Sequence, residues 1–318
     1  MEIYKTEAEI AKTKNWLLSM VVIILVTFGV LVLLQGLALA VVPFLFGASL
    51  DDIIALTSGG GQNVENGRMV LFFVQAFGSG LGFVVAAYII ANFIEKATFD
   101  WPVQISRFNW SGFALVLLIT LGGMLFNSML VDINSKLVLP DFLADLEIWM
   151  IEMEEQLMEM TKFMTDFETT SEFIMGLLVI GVLAGVGEEL FFRGVIQAKL
   201  HQYTGSGHLG VWVTAIIFSA IHMQFFGFLP RMFLGAMFGY LYLYSGSLIY
   251  PILAHIFNNA FTVVMVYLAK QGMVDFDIEA TDNVSYWASM GGFLVLLAGI
   301  YYFKKTNASK NEELGQSL

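Results

Sequence analysis

Three short stretches of the chain hold residue types that can activate water and stabilise an oxyanion. They are Gly187-Glu188-Glu189-Leu190-Phe191-Phe192-Arg193-Gly194, Phe218-Ser219-Ala220-Ile221-His222 and His255-Ile256-Phe257-Asn258-Asn259. On a helix, Glu189 and Arg193 stand four residues apart with the acid first, the favourable order for an ion pair. Glu188 then points about 100° away from Glu189 and is left without that partner. An unpaired carboxyl in a low-dielectric site suits general acid–base chemistry near neutral pH. The plainer reading is an ion-pair cluster that ties helices together, but it leaves Glu188 unexplained. Phe218 places an aromatic ring one turn before His222, and His255 and Asn259 share one helix face. Each pair alone is weak, because His and Asn often bond across membrane helices.

Two mechanisms use these residue types. In the first, Glu188 and His222 hold and deprotonate a water that attacks a peptide carbonyl. His255 and Asn259 then donate to the developing oxyanion. In the second, the histidines and a glutamate hold Zn²⁺, which activates the water. With no HExxH and the ligands on three helices, the metal-free version is preferred; no cofactor is expected, and Zn²⁺ is the alternative. The chain has no cysteine, so thiol nucleophiles and thiolate metal sites are excluded. No serine sits in a GxSxG setting.

Such groups need a scaffold, and composition names its solvent. Hydrophobic residues form 58% of the 318 and charged residues 13%, against about a quarter charged in soluble domains. Mean hydropathy is +0.75. This is an all-α, polytopic membrane protein, with membrane lipids as its surroundings. The net charge of −12 argues against a nucleic-acid partner. Spans of about 20 apolar residues are placed at Trp16–Phe46, Met69–Ile94, Ser111–Val131, Phe173–Ala198, Leu209–Phe228, Met232–Tyr244, Leu248–Leu268 and Tyr286–Phe303. That makes about eight, the sixth being the shortest. Counted from the helix ends, Glu188 lies roughly 18 Å deep, His222 roughly 20 Å and Asn259 roughly 16 Å. The four residues should therefore line one cavity. Gly181 and Gly185, and Gly235 and Gly239, form small-xxx-small pairs that let helices approach.

Lys5, Lys12, Lys14, Lys96, Arg107, Lys199, Lys304, Lys305 and Lys310 fall on one side of this arrangement. Arg68, Lys136, Lys162, Arg231 and Lys270 fall on the other. The bias places both termini in the cytoplasm, of a bacterial cell membrane. The long acidic loop after the third span carries a stripe of Leu143, Leu146, Met150, Met153, Leu157, Met160, Met164 and Phe167 at helical spacing. Glu147, Glu152, Glu154, Glu155 and Glu159 fill the opposite face. An extracytoplasmic amphipathic helix over about 141–168 is expected. It rests on its own membrane domain or pairs with a second copy in a homo-oligomer; a lid is the sharper alternative.

The ordered motifs resemble the CPBP intramembrane proteases, named for CAAX proteases and bacteriocin-processing enzymes. EExxxR corresponds to Glu188, Glu189 and Arg193, FxxxH to Phe218 and His222, and HxxxN to His255 and Asn259. The stretch FLGAMFGYLYLYSGSLIYPILAHIFNNA looks like the family's approach to the last motif. The resemblance covers about 173–268, giving three parts: 1–172 with the first helices and the acidic segment, 173–268 as catalytic core, and 269–318 as a last helix and tail. It implies an endopeptidase acting on membrane-embedded or lipidated peptides. Glu188 and His222 would activate water, His255 and Asn259 would form the oxyanion hole, and Phe218 would line the site. Scaffold and bacteriocin self-immunity roles also occur in the family. A proton-coupled transporter predicts inverted repeats, and the sequence has none.

Overall fold

The computed structural model describes residues 15–57, 64–276 and 285–316, and the side chains up to residue 307. Lys5, Lys12 and Lys14 lie outside the described residues, as does the side chain of Lys310. Eleven helices and no strand occur among the described residues. They are α1 (Trp16–Phe46), α2 (Leu50–Thr57), α3 (Gly67–Ile94), α4 (Trp101–Arg107), α5 (Trp110–Ser135), α6 (Ala144–Thr165), α7 (Thr170–Thr204), α8 (Gly207–Ala220), α9 (Phe228–Ser245), α10 (Ile249–Lys270) and α11 (Tyr286–Gln316).

Six of them, α1, α3, α5, α7, α10 and α11, are long and apolar enough to cross a membrane. The protein is a multi-pass membrane protein. The fifth and sixth expected spans are the ones that differ. α8 has 14 residues and stops at Ala220, and α9 has 18, beginning at Phe228. Between them the chain turns, with Met223 in the left-handed region at φ 56°. The turn closes as His222 N donates to Ser219 O, Met223 N to Ala220 O and Ser219 Oγ to Phe228 O. His222 therefore sits just past a helix end and not inside a continuous span, and its depth cannot be counted along one.

Several charges assigned to loops belong to helices. Lys199 is buried in α7 and bonded to Glu95. Arg68 lies buried in the first turn of α3, and Arg231 is half-buried in the first turn of α9. These side chains are held by specific protein partners, so they weigh less in an orientation argument than loop cations do.

The expected small-residue contacts form. A Cβ on Gly185 would lie 3.1 Å from Ile256 N, and one on Gly235 3.3 Å from Ala215 Cα. α7 thus meets α10, and α9 meets α8, at backbone distance. α7 also widens twice into π-helix, at Leu177–Leu183 and Phe192–Gln197. The α-helical turn pair between them, Ala184–Phe191, carries both glutamates. π-segments of this kind re-aim side chains and occur often at functional sites.

The acidic segment is helical, as expected. Met164 and Phe167 of its stripe are buried, and Met160 packs against the core beside them. Glu152, Glu155 and Glu159 are exposed. Glu147 and Glu154 are half-buried, accepting bonds from Leu139 N and Phe226 N, each at 3.2 Å. One end of α6 is firmly held, because Arg68 bonds Phe163 O at 2.8 Å and Glu172 at 2.7 Å.

Candidate active site

Glu189 and Arg193 form the expected ion pair. Arg193 Nη1 donates to Glu189 Oε1 at 2.6 Å, and both side chains are fully buried. Burying a pair costs desolvation that only further bonding offsets. Here Arg193 Nη2 also donates to Gly235 O at 2.7 Å, and its guanidinium lies 4.9 Å from the Phe218 ring centre and 5.5 Å from that of Phe238. The pair thereby ties α7 to α8 and α9.

The same Glu189 Oε1 accepts from His255 Nδ1 at 2.8 Å. This contact fixes the ring and turns its other nitrogen toward Glu188, with Nε2 3.8 Å from Glu188 Oε2. Phe238 stacks on the imidazole at 4.8 Å. Glu188 is thus not isolated as the spacing implies: it faces an imidazole held from behind by its neighbour. Phe218 is the hub, its ring 5.0 Å from that of His222 and 6.0 Å from that of His255. His222 Nδ1 donates to Phe218 O at 2.7 Å. A carbonyl only accepts, so Nε2 of the neutral ring is the free lone pair.

Asn259 is engaged too. Its Nδ2 donates to Ile180 O, in the first π-segment of α7, at 3.0 Å, and its Oδ1 accepts from Asn258 at 3.2 Å. One N–H remains to point elsewhere.

Within the matched region of a family model these residues fall together. Residues 170–261 match the family described as type II CAAX prenyl endopeptidase Rce1-like. This segment is Rce1-like. The resemblance drawn from its motifs holds, and the matched family is one of peptidases. The uncharacterized protein YpbD of Bacillus subtilis is 27% identical over 88 residues, covering 26% of this chain and 42% of that protein. No solved structure matches. Glu188, Glu189, Arg193, Phe218, His222, His255 and Asn259 all lie inside the Rce1-like segment, and α6 lies before it.

A cavity of about 570 Å³ opens beside the cluster. Its walls come from α1, α2, α3, α6, α7, α9 and α10, and include Gln35, Gln75, Thr161, Ile180, Arg231 and Asn259. Of the four residues expected to line one cavity, Asn259 lines this one, whereas Glu188, His222 and His255 are not among its lining residues. α6 contributes Met160, Thr161, Met164 and Thr165 to the wall. α6 therefore rests on the membrane domain and forms part of this cavity's wall.

Sequence reasoning missed Asn134, Glu154 and Arg231. Asn134 bonds Phe225 O at 2.9 Å and Leu229 N at 2.9 Å, stapling the turn after His222 to α5. A charged residue within the apolar run FLPRMFLG was the available signal for Arg231. Among the described residues, no group of three or more His, Asp or Glu is arranged to hold a metal ion. His255 Nδ1 and His222 Nδ1 are both committed to protein acceptors. Each ring keeps its Nε2 for a water or an ion, the nitrogen a ligating histidine would use when its other N–H is held by a carboxylate or carbonyl.

Proposed function

We propose that the chain is an intramembrane endopeptidase that hydrolyses membrane-embedded or lipidated peptides without a metal, in a bacterial cytoplasmic membrane. The observation that carries this is His255 held between two glutamates, one bonded to Nδ1 and one facing Nε2. Glu188 takes a proton from water as the oxygen attacks the scissile carbonyl. His222, through its free Nε2, orients that water. Glu188 passes the proton to His255 Nε2, which then donates to the oxyanion and to the departing amine. Asn259 supplies the second donor with its remaining N–H. Glu189 and Arg193 do no chemistry in this scheme; they orient His255.

The test is cleavage of a membrane-delivered peptide library by purified parent, Glu188→Gln and Asn259→Ala, with and without a strong chelator. Glu188→Gln should lose about 10²–10⁴ in rate and Asn259→Ala about 10²–10³, with the chelator inert. Equal cleavage by parent and Glu188→Gln sinks the glutamate mechanism. Activity abolished by chelator and restored by Zn²⁺ sinks the metal-free one.

A further inference from the structure

The helix ends sort onto two faces by the bonds that join them. At one face Arg68, beginning α3, bonds Glu172, beginning α7, at 2.7 Å, and Lys270, ending α10, bonds Asp166 at 2.5 Å. Tyr286, beginning α11, donates to Asp132 near the end of α5. α6 links α5 to α7 along this face. At the far face Ser19, in the first turns of α1, donates to Glu95 at 2.9 Å, and Glu95 pairs with Lys199 near the end of α7. There too Arg107 donates to Gly246 O, just past α9, and Leu248 N, just before α10, donates to Gln104 Oε1, each at 2.6 Å.

The cavity lies on the α6 side of the catalytic cluster. Among its lining residues, Gln35 belongs to the half of α1 nearest that face, Ser79, Ile180 and Val263 to the corresponding halves of α3, α7 and α10, and Asn259 to the middle of α10. The turn that holds His222 points the same way, because Asn134 in the last turn of α5 bonds Phe225 O and Leu229 N, both at 2.9 Å. Toward the far face the cluster rests on packed side chains. Phe192, Val195, Phe218, Tyr242 and Leu248 form one buried core there. Gln197 Nε2 donates to Gly239 O at 2.9 Å, and Ser245 and Ser247 are fully buried. Over the cavity lies α6, held loosely at one end: Met164 is 6% exposed, but Leu146 and Trp149 are 43% and 40%.

Hydrolysis consumes water, and an extended peptide backbone needs bonding partners that lipid does not offer. Both must arrive through a space with polar walls, and Gln35, Gln75 and Thr161 supply polar side chains to this one. We propose that water and peptide enter the site from the α6 face, and that this face is extracytoplasmic. Its substrates are then apolar segments of exported or outer-leaflet chains, not chain ends in the cytosol. The face assignment follows the cation bias. Lys12 and Lys14 precede α1, and Lys304 and Lys305 fall in the far-face half of α11. Lys136 and Lys270 at the α6 face are each paired with an aspartate. This rests on the peptidase reading above.

The experiment uses the full chain in cell membranes, as spheroplasts and as sealed inverted vesicles. The chain has no cysteine, so single cysteines report access to a charged maleimide. Thr262→Cys and Gln35→Cys sit in the cavity wall, and Lys305→Cys marks the far face. The two cavity cysteines should label in spheroplasts and Lys305→Cys in inverted vesicles, each about 10-fold or more faster than in the opposite preparation, because a charged reagent crosses the hydrocarbon core only at high cost. Cavity cysteines that label from the Lys305→Cys side, from both sides alike or from neither overturn the inference. Lys305→Cys that labels in spheroplasts overturns the extracytoplasmic assignment. For cleavage, N-acylated apolar peptides with a charged end are given to both preparations. The parent should cleave them in spheroplasts, Glu188→Gln should not, and inverted vesicles should cleave only once detergent opens them. Cleavage as fast in sealed inverted vesicles, lost in Glu188→Gln, overturns the inference and leaves the peptidase standing. Cavity cysteines labelled from outside, with no cleavage by the parent even in detergent, overturn the peptidase reading instead.

Discussion

The Glu189 knot and the cavity beneath α6 share α7, α9 and α10, yet they differ in how far their polar atoms are bonded across helices. In the knot, Glu189 Oε1 serves both Arg193 and His255, Arg193 reaches Gly235 O, and two aromatic rings cover the guanidinium. In the cavity wall, Gln75 Oε1 and Arg231 Nη1 are buried without partners. Glu189 Oε2 and Arg193 Nε are buried without partners as well, so the regions differ in cross-linking: the bonds of Glu189 and Arg193 join α7 to α9 and α10, and such a network rigidifies. The difference teaches a division of labour: the knot fixes geometry by bonding across helices, and the cavity leaves space between them.

The comparison breaks first at Arg193. Arg193→Ala leaves Glu189 buried without its cation, which typically costs about 3–5 kcal/mol. The expected outcome is a sharp fall in folded yield and thermal stability in detergent. Arg193→Lys should not rescue it, since one ammonium cannot hold Glu189 and Gly235 O and also stack on Phe218. Normal yield of Arg193→Ala would show that the knot is not structural.

Next in size is Gly187. A Cβ there would lie 2.5 Å from Gly80 O, so α7 and α3 would have to separate. Gly187→Ala should cost about 1–3 kcal/mol as an overpacked contact and lower activity by shifting the neighbouring Glu188. Melting and cleavage measured together check this. Unchanged melting with unchanged rate would mean the helices are not clamped at this level.

The sequence made the knot legible because its logic is local. A spacing of four on one helix predicts Glu189–Arg193, and apolar surroundings single out Glu188, whatever the fold. The membrane class and the first helix, Trp16–Phe46, follow from hydropathy alone. What failed was whatever depended on a helix end or on a distant partner. The apolar run through Ile221 hides the stop at Ala220, because the stop is made by turn bonds and by a left-handed Met223 that no composition window registers. Glu154 looked like one more acid on a solvated face. Only the tertiary position of Phe226 and Arg231 turns it inward. Arg231 was counted as a loop cation for the same reason.

The smallest effect concerns how α6 sits on the cavity. Its Trp149 ring packs 5.4 Å from Phe225, and Glu154 sits beside Gln224 and the charge of Arg231. Burial raises the Glu154 pKa above its usual 4.5 and outweighs the Phe226 N–H and Arg231, which pull it down. A carboxyl with a raised folded pKa favours the docked state most when protonated. Its contribution is complete below the ordinary carboxylate range and is lost as pH rises through the folded value. α6 should therefore loosen as pH climbs above about 4.5, the usual value. The chain has no cysteine, so one introduced at Met153, on the covered side of α6, reports its exposure to a maleimide. The labelling rate is divided by that of the same cysteine in Glu154→Gln, which cancels the reagent's own pH dependence. The ratio should rise with pH. A flat ratio would mean that the Glu154 carboxyl does not govern docking and that the aromatic contact, worth about 0.5–1.5 kcal/mol, holds this half of α6 by itself.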